Sequence, residues 1–287
     1  MNEIVILSGK GGTGKTSLSA AFATLEMNIV VADCDVDAAN LYLILQPNNY
    51  HDEIFITGHK AIIDYKSCNN CGLCIHYCRF DAISKQNGKV AISETLCDGC
   101  KLCSRICTLK AIKMVPSDKS HWYKGSCRNG QMVHARLAPG EENSGKLVNV
   151  VREYAREIAK AIGSETIIID GPPGIGCPVV SSVTGVNKAI FVTEPSMSGF
   201  HDLKRIFELT RNFNVEALVV INKYDLNYEV SLKIEAWCCN LRIPVVGKIP
   251  FDEQIVEAMV HCKSIIEWRP TSSVAMEIRN IWKIINT

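Results

Sequence analysis

A chain of 287 residues, 47% hydrophobic, is long enough for one large α/β domain with a small module attached. With 31 basic against 30 acidic residues the net charge is +1, and no basic run gives an electrostatic reason to expect nucleic acid. No apolar stretch approaches the ~20 residues that span a membrane, and no signal-peptide layout precedes the first strand, so a cytoplasmic protein is expected. That strand is EIVILS (3–8), followed by a glycine-rich turn, a helical KTSLSAAFATLE and the strand NIVVAD (28–33). After a helical NLYLILQP the pattern changes, and between about 58 and 115 short strands, asparagines, glycines and cysteines replace the alternation. The rhythm resumes with a helix over 144–163, whose Leu147, Val150, Val151, Tyr154 and Ile158 share one side. TIIID (166–170), AIFVTEP (189–195), EALVVINK (216–223) and PVVGKIP (244–250) read as strands, with helices near 198–212, 228–240, 252–262 and 272–285. Short apolar strands alternating with helices predict a mostly parallel sheet covered by helices on both faces.

The turn GKGGTGKTS (9–17) carries the phosphate-loop pattern G-x4-G-K-[ST] as Gly9, Gly14, Lys15 and Thr16. A strand before it and a helix after it make this a nucleotide site rather than mere punctuation. Backbone N–H groups of Gly11, Gly12, Thr13, Gly14, Lys15, Thr16 and Ser17 are expected around the phosphates. Lys15 would contact the β- and γ-phosphates, and the Thr16 hydroxyl would ligate Mg²⁺. The fold class is therefore an α/β P-loop NTPase, with parts at 1–57 and 116–287 and an insert at 58–115.

Within the insert CNNCGLCIHYCRFDAI, from 68, recurs as CDGCKLCSRICTLKAI, from 97. Each copy is C-x2-C-x2-C-x3-C, the spacing of a bacterial 4Fe–4S ferredoxin, in which the fourth cysteine of each run serves the other cluster. On that crossed pattern Cys68, Cys71, Cys74 and Cys107 hold one cluster, and Cys97, Cys100, Cys103 and Cys78 the second. Structural zinc is the alternative for repeated C-x2-C pairs. The proline usual after the fourth cysteine is absent, with Arg79 and Thr108 in its place.

Lys10 adds a second lysine to the loop, and KGGTGKT resembles the deviant form shared by the MinD/ParA/Mrp ATPases and the nitrogenase iron protein. The resemblance spans nearly all of the α/β part and implies an ATP-sandwiched homodimer in which Lys10 reaches the partner's nucleotide. ADCDVDAANL (32–41) resembles switch I, which makes Asp35 the residue that acts on the attacking water. Asp33 and Asp37 are weaker candidates, and Asp37 is read as a helix cap. IIIDGPPG resembles switch II, with Asp170 holding Mg²⁺ through water and Gly171 or Gly174 near the γ-phosphate. Asn222 of VVINKYD matches the residue that reads adenine, and Pro250 of IPFDEQIVEA the later contact to the base. NKYD alone also fits the guanine pattern N-K-x-D; the deviant loop favours ATP.

A loop of this kind interrupted by a two-cluster module is similar to MinD-like ATPases with an inserted ferredoxin domain. The implied function is a slow, partner-stimulated, Mg-dependent ATPase whose nucleotide state controls electron transfer to an unidentified redox or iron–sulfur partner. The alternatives are a carrier of iron–sulfur clusters and a MinD-like positioning switch with redox-sensing clusters. The latter would use a membrane-binding C-terminal helix, but that amphipathic segment (278–285) has few positive charges and is expected to pack on the sheet. Cys177 lies seven residues past Asp170, where the nitrogenase iron protein has a bridging cysteine. With no convincing second ligand except Cys127, packing or a redox thiol is expected instead. His134, Glu141 and Glu142 fall in a stretch (132–148) read as a loop, and no chemistry is assigned to them.

Overall fold

Six of the seven residues of β1 (Asn2–Ser8) are buried, as a strand covered on both faces requires. In the computed structural model, which describes residues 1–141 and 144–286, α1 (Lys15–Ala23), β2 (Ile29–Asp33), α2 (Leu41–Leu45) and β3 (Asn48–Phe55) follow. Next come β4 (His59–Ile63), α3 (Leu73–His76), β5 (Ile83–Gln86), β6 (Lys89–Ile92), α4 (Leu102–Ile106) and β7 (Ile112–Pro116). The chain continues through β8 (Ser120–Cys127), β9 (Gly130–Arg136), α5 (Ser144–Ile162), β10 (Thr166–Pro173) and α6 (Cys177–Val183). It ends with β11 (Lys188–Thr193), α7 (Met197–Thr210), β12 (Glu216–Asn222), α8 (Tyr228–Asn240), β13 (Val245–Ile249), α9 (Glu253–Val260), α10 (Ile265–Trp268) and α11 (Ser273–Ile285). The described residues pack as two compact units, one of Met1–Asp52, Trp122–Ala135 and 144–286, the other of Glu53–His121 and 136–141.

The large sheet has the order β13-β12-β11-β1-β10-β2-β9-β8-β3. From β13 to β9 every neighbouring pair is parallel. Alternate residues of each strand serve opposite faces. Ile4 and Ile6 join Phe22, Ile168, Val220, Ile278, Ile281 and Trp282 in one buried cluster. Val5 and Leu7, equally buried, point the other way. On that second side α5 packs against β2 and β10, burying Leu147, Val151 and Ala155. α11 buries Val274, Ile278, Ile281, Trp282 and Ile285, so the amphipathic C-terminal helix does pack on the sheet. No helix among the described residues is long and apolar enough to cross a membrane.

Two expectations from sequence fail here. The stretch 132–148 is a loop only in its middle, before α5 begins at Ser144. Its first residues, to Arg136, belong to β9, which runs parallel to β2, and a Cβ at Gly130 would lie 1.9 Å from the Ile29 carbonyl oxygen. His134 is accordingly buried, stacked between Tyr42 and Tyr123 at 5.4 and 4.8 Å. Glu142 lies outside the described residues. Asp37 is exposed and is not the cap of α2, whose N-cap residue is Asn40.

A buried ion network ties β1 to two helices. Glu3, 6% exposed, receives Arg152 Nη2 at 2.8 Å and Arg156 Nε at 2.5 Å. Arg152 also donates to the Ser181 and Thr184 carbonyls at the end of α6, at 2.6 and 2.8 Å. Burial would raise the Glu3 pKa, but the two guanidinium groups outweigh it and hold the carboxyl below its ordinary value.

The second unit is built from short antiparallel pairs, β4 with β7 and β5 with β6. Its repeat is structural as well as sequential. Positive φ recurs at an offset of 29 residues: Asn70 (59°) and Gly99 (72°), Gly72 (80°) and Lys101 (67°), Asp81 (50°) and Lys110 (53°). Each cysteine run therefore bends through the same left-handed corners, two before a short helix, α3 or α4, and one after it. Gly99 has a further reason to lack a side chain, since a Cβ there would lie 2.1 Å from the His59 carbonyl oxygen. The hydrophobic centre is small. Ala61, Ala82, Cys97 and Ile112 are surrounded by Ile63, Ile92, Met114, Cys74, Cys78, Cys103 and Cys107.

Candidate functional site

β1 ends in a turn that wraps the N-terminus of α1, with Gly12 and Gly14 at φ 79° and 91°. Side chains cannot be added here cheaply: a Cβ on Gly9 would come within 2.4 Å of Asp202 in α7. The neighbouring parallel strands end beside the loop, where open α/β sheets bind ligands. Asp170 of β10 is fully buried and stands in register with Asp33 of β2, also fully buried. Thr16 Oγ1 and Ser19 Oγ donate to Asp170 at 2.8 Å each. Lys15 Nζ lies 3.3 Å from Asp170 and 3.5 Å from Asp35.

This places three carboxylates, Asp33, Asp35 and Asp170, around a single ammonium group. The backbone N–H groups of Asp35 and Leu41 satisfy Asp33, each at 3.2 Å. Burial and the Asp170 charge still push its pKa well above the usual carboxylate value. Burial also raises Asp35, against the opposing pull of Lys15. For Lys15 burial works downward, and the Asp170, Asp35 and Asp33 charges outweigh it and raise the pKa.

A cavity of about 460 Å³ opens over the loop. Gly11 to Ser17, Asp35 and Asn222 line its polar end, and Ile249, Pro250, Phe251, Ile255, Val256 and Met259 its apolar end. Of the residues expected at the base, Pro250 lines this wall, and Asn222 does so with its amide engaged. Asn222 Nδ2 donates to the Thr13 carbonyl at 2.7 Å, and Oδ1 accepts from Lys223 N at 3.0 Å. Asp225 accepts from Phe251 N at 2.7 Å and does not line the cavity. Ser17 Oγ donates to the Met259 sulfur at 3.1 Å, a contact between α1 and α9 that no sequence pattern announces. Gly174 lies on the loop after β10 at φ 89°, whereas Gly171 is buried against Leu7 and Ile6.

Lys10 points at its own chain. Its Nζ is 2.6 Å from Glu194 Oε1 and donates to Ser196 and Ser198 at 3.3 and 3.1 Å. Lys223 approaches the other oxygen of Glu194 at 3.5 Å. Sequence reasoning missed Glu194, which lies just past β11; only the strand order, with β11 beside β1, brings it to the phosphate loop. Cys177 is exposed at the start of α6, while Cys127 packs against the main core.

In the second unit the eight repeat cysteines gather as two quartets around two small cavities. Cys68, Cys71, Cys74 and Cys107 line one; Cys78, Cys97, Cys100 and Cys103 line the other. Among the described residues no three Cys, His, Asp or Glu side chains form a group that could hold a metal ion. Backbone N–H groups of Asn70 and Ala111 approach the Cys68 and Cys107 sulfurs at 3.4 and 3.3 Å. Burial pushes the Cys103 thiol up to about 11, helped by Cys97, Cys100 and Cys74, the last of which belongs to the other quartet.

Comparison with known proteins agrees with the fold and with the loop. A protein of Methanocaldococcus jannaschii, called uncharacterized protein MJ0578, is 33% identical over 98% of this chain and 95% of its own. The septum site-determining protein MinD of Bacillus subtilis is 25% identical over 97% of this chain and 86% of that one. The solved MinD of Pyrococcus horikoshii, complexed with Mg-ADP, superposes with a TM-score of 0.60 at 19% identity, covering 100% of this chain and 96% of that one. The description of the CobQ/CobB/MinD/ParA nucleotide binding domain matches residues 4–265, and with a deviant phosphate loop at the end of β1 the chain belongs to that family as a MinD/ParA-type P-loop ATPase.

Proposed function

We propose that the chain is a dimeric, Mg-dependent ATP switch that carries two 4Fe–4S clusters for electron transfer. The observation that carries the iron–sulfur part is the sorting of eight cysteines into two cavities by the crossed ferredoxin pattern, Cys107 in one and Cys78 in the other. Four cysteines line each cavity, the number that a cubane takes, and the small core around them is consistent with a fold organised on its ligands. When bound, such clusters supply one-electron redox chemistry. Saturated ligation of both favours retention over delivery, which argues for electron transfer rather than cluster carriage.

For the nucleotide, Thr16 and Asp170 are the residues that would hold Mg²⁺, which neutralises phosphate charge when bound. Gly11 to Ser17 would wrap the phosphates, Lys15 would stabilise the γ-phosphate, and Asp35 would orient the attacking water. Asn222 and Pro250 would border the base. Adenine is favoured over guanine because Asp225 is spent on Phe251 N and lies off the cavity wall. Lys10 must leave Glu194 to reach a partner's nucleotide, so dimer closure would exchange one contact for the other. A redox partner protein would meet the loaded form.

Anaerobic purification with iron and sulfide counting, followed by EPR with and without ATP, tests this. Two ferredoxin-type clusters give about eight irons per chain. Zinc in their place would refute the electron-transfer reading and leave the ATP switch standing. Cluster spectra and solvent accessibility that ignore ATP would refute the coupling alone.

A further inference from the structure

Lys60 is a buried lysine that serves a cysteine of the second quartet. On β4, 7% exposed, it donates from Nζ to the Cys97 carbonyl at 2.8 Å and to the Gly140 carbonyl at 2.9 Å. Glu141 Oε1 stands 3.5 Å away and also accepts from the Ser117 hydroxyl, while its Oε2 accepts from the Thr57 hydroxyl. An ammonium has three N–H donors and no acceptor, and here it faces three acceptors. Lysine is almost never fully buried unless paired, so the arrangement is costly to build. All of these residues belong to the second unit.

We propose that Lys60 is a positioning residue that sets the reduction potential of the cluster held by Cys78, Cys97, Cys100 and Cys103, with Glu141 as its counterweight. The inference rests on the cluster reading above. Reduction adds one electron to that cluster, from the 2+ to the 1+ state, with no proton transferred; in a titration sodium dithionite supplies the electron. Net charge and hydrogen bonding around the ligands set such potentials. The ammonium sits directly on the backbone of a ligand, so it favours the more negative, reduced state. Glu141 touches Lys60 from among hydroxyls and favours the oxidised state. The other quartet has no such lysine on its ligands among the interactions of the described residues, so the two clusters should differ.

The test is an anaerobic redox titration followed by EPR on the full chain, with iron counted in each sample. Lys60→Met should lower the potential of one cluster, changing its reduced-to-oxidised ratio at fixed potential about tenfold, ~59 mV for one electron. Glu141→Gln should move the same cluster the opposite way, and Lys60→Arg should keep it near the wild-type value. Full iron with both potentials unchanged in Lys60→Met would overturn the proposal, as would shifts of the same sign in Lys60→Met and Glu141→Gln. Should Lys60→Met fail to fold, Glu141→Gln still decides it by sign: a raised potential supports the proposal, and an unchanged or lowered one overturns it. A wild-type chain without cubane iron would instead overturn the cluster reading itself, and this proposal with it.

Discussion

Lys10 and Glu194, 184 residues apart in sequence, meet at 2.6 Å beside the phosphate loop. The lysine that distinguishes this loop is thus held by a carboxylate of its own chain, with Ser196 and Ser198 completing the grip. The pair is about a quarter exposed, so its worth is that of a surface ion pair, ~0.2–1 kcal/mol. Glu194→Gln should release Lys10 and tighten ATP-dependent dimers by up to about fivefold. Sedimentation equilibrium with Mg-ATP measures this, and an unchanged or weaker dimer would show that the contact does not compete with closure. Burial alone would raise the Glu194 pKa, but Lys10 and then Lys223 outweigh it and hold the pKa down. The grip therefore persists above the ordinary carboxylate range of about 4.3 and is lost only as pH falls below it.

Asp33→Asn should remove a pH-dependent penalty from the nucleotide-free protein, so its stability relative to wild type should improve as pH rises from about 4 toward 7. The sign follows from its raised pKa. As pH rises from about 4, the unfolded chain gives up this proton before the folded one does, so stability falls across that window. Asp35 N and Leu41 N donate to different oxygens of Asp33, so an asparagine keeps one of these bonds and loses the other, a cost that does not change with pH. Thermal melts should show the largest gain near pH 7, shrinking toward pH 4. Mg-ATP should narrow it too, and a difference from wild type that does not grow with pH would refute the charge argument.

Phe251→Ala should weaken ATP binding by ~0.5–1.5 kcal/mol, the worth of an aromatic contact. Asp225→Asn should leave any preference between ATP and GTP in place, since Asp225 lies off the cavity wall. Calorimetric titration with both nucleotides checks this. Tight GTP binding abolished by Asp225→Asn would make the site a guanine site.

Arg152→Ala should cost ~3–5 kcal/mol, because it leaves Glu3 buried beside only one partner and strips two carbonyls of α6. Lysine should not rescue it, lacking the planar fork that spans Glu3 and α6. Denaturant unfolding at pH 7 measures the loss. The Glu3 contribution should also fade in acid: its pKa is lowered, so that stability is present above about 4.3 and lost as pH falls through the lower folded value. A loss under 1 kcal/mol would mean that α6 is anchored elsewhere.

What sequence makes legible is what local chemistry dictates. The phosphate loop is set by glycines and a lysine within nine residues, and the cysteine quartets by spacing alone. Strands such as EIVILS announce themselves because burial on both faces demands continuous apolar runs. Pairings made by tertiary position are not legible. β9 carries His134 and Gln131 beside Met132 and Val133, and only its seat next to β2 explains why its middle is buried. Ser17 with Met259, Lys10 with Glu194 and Arg152 with the α6 carbonyls each join distant segments through strand order, which a single sequence does not state. Asn222 shows the same limit in finer grain: its motif names a base contact, while its amide grips the loop at Thr13.

Five of the eleven residues at the centre of the second unit are cysteines of the two quartets. With cubanes in place, metal ligation and the folding of this module are one equilibrium rather than two. Were the proposed clusters bound, exposure to oxygen or a lack of iron should then yield an opened segment, readable by proteases. Abundance of the protein in the cell would in that way report the supply of iron and sulfide, without any dedicated sensor.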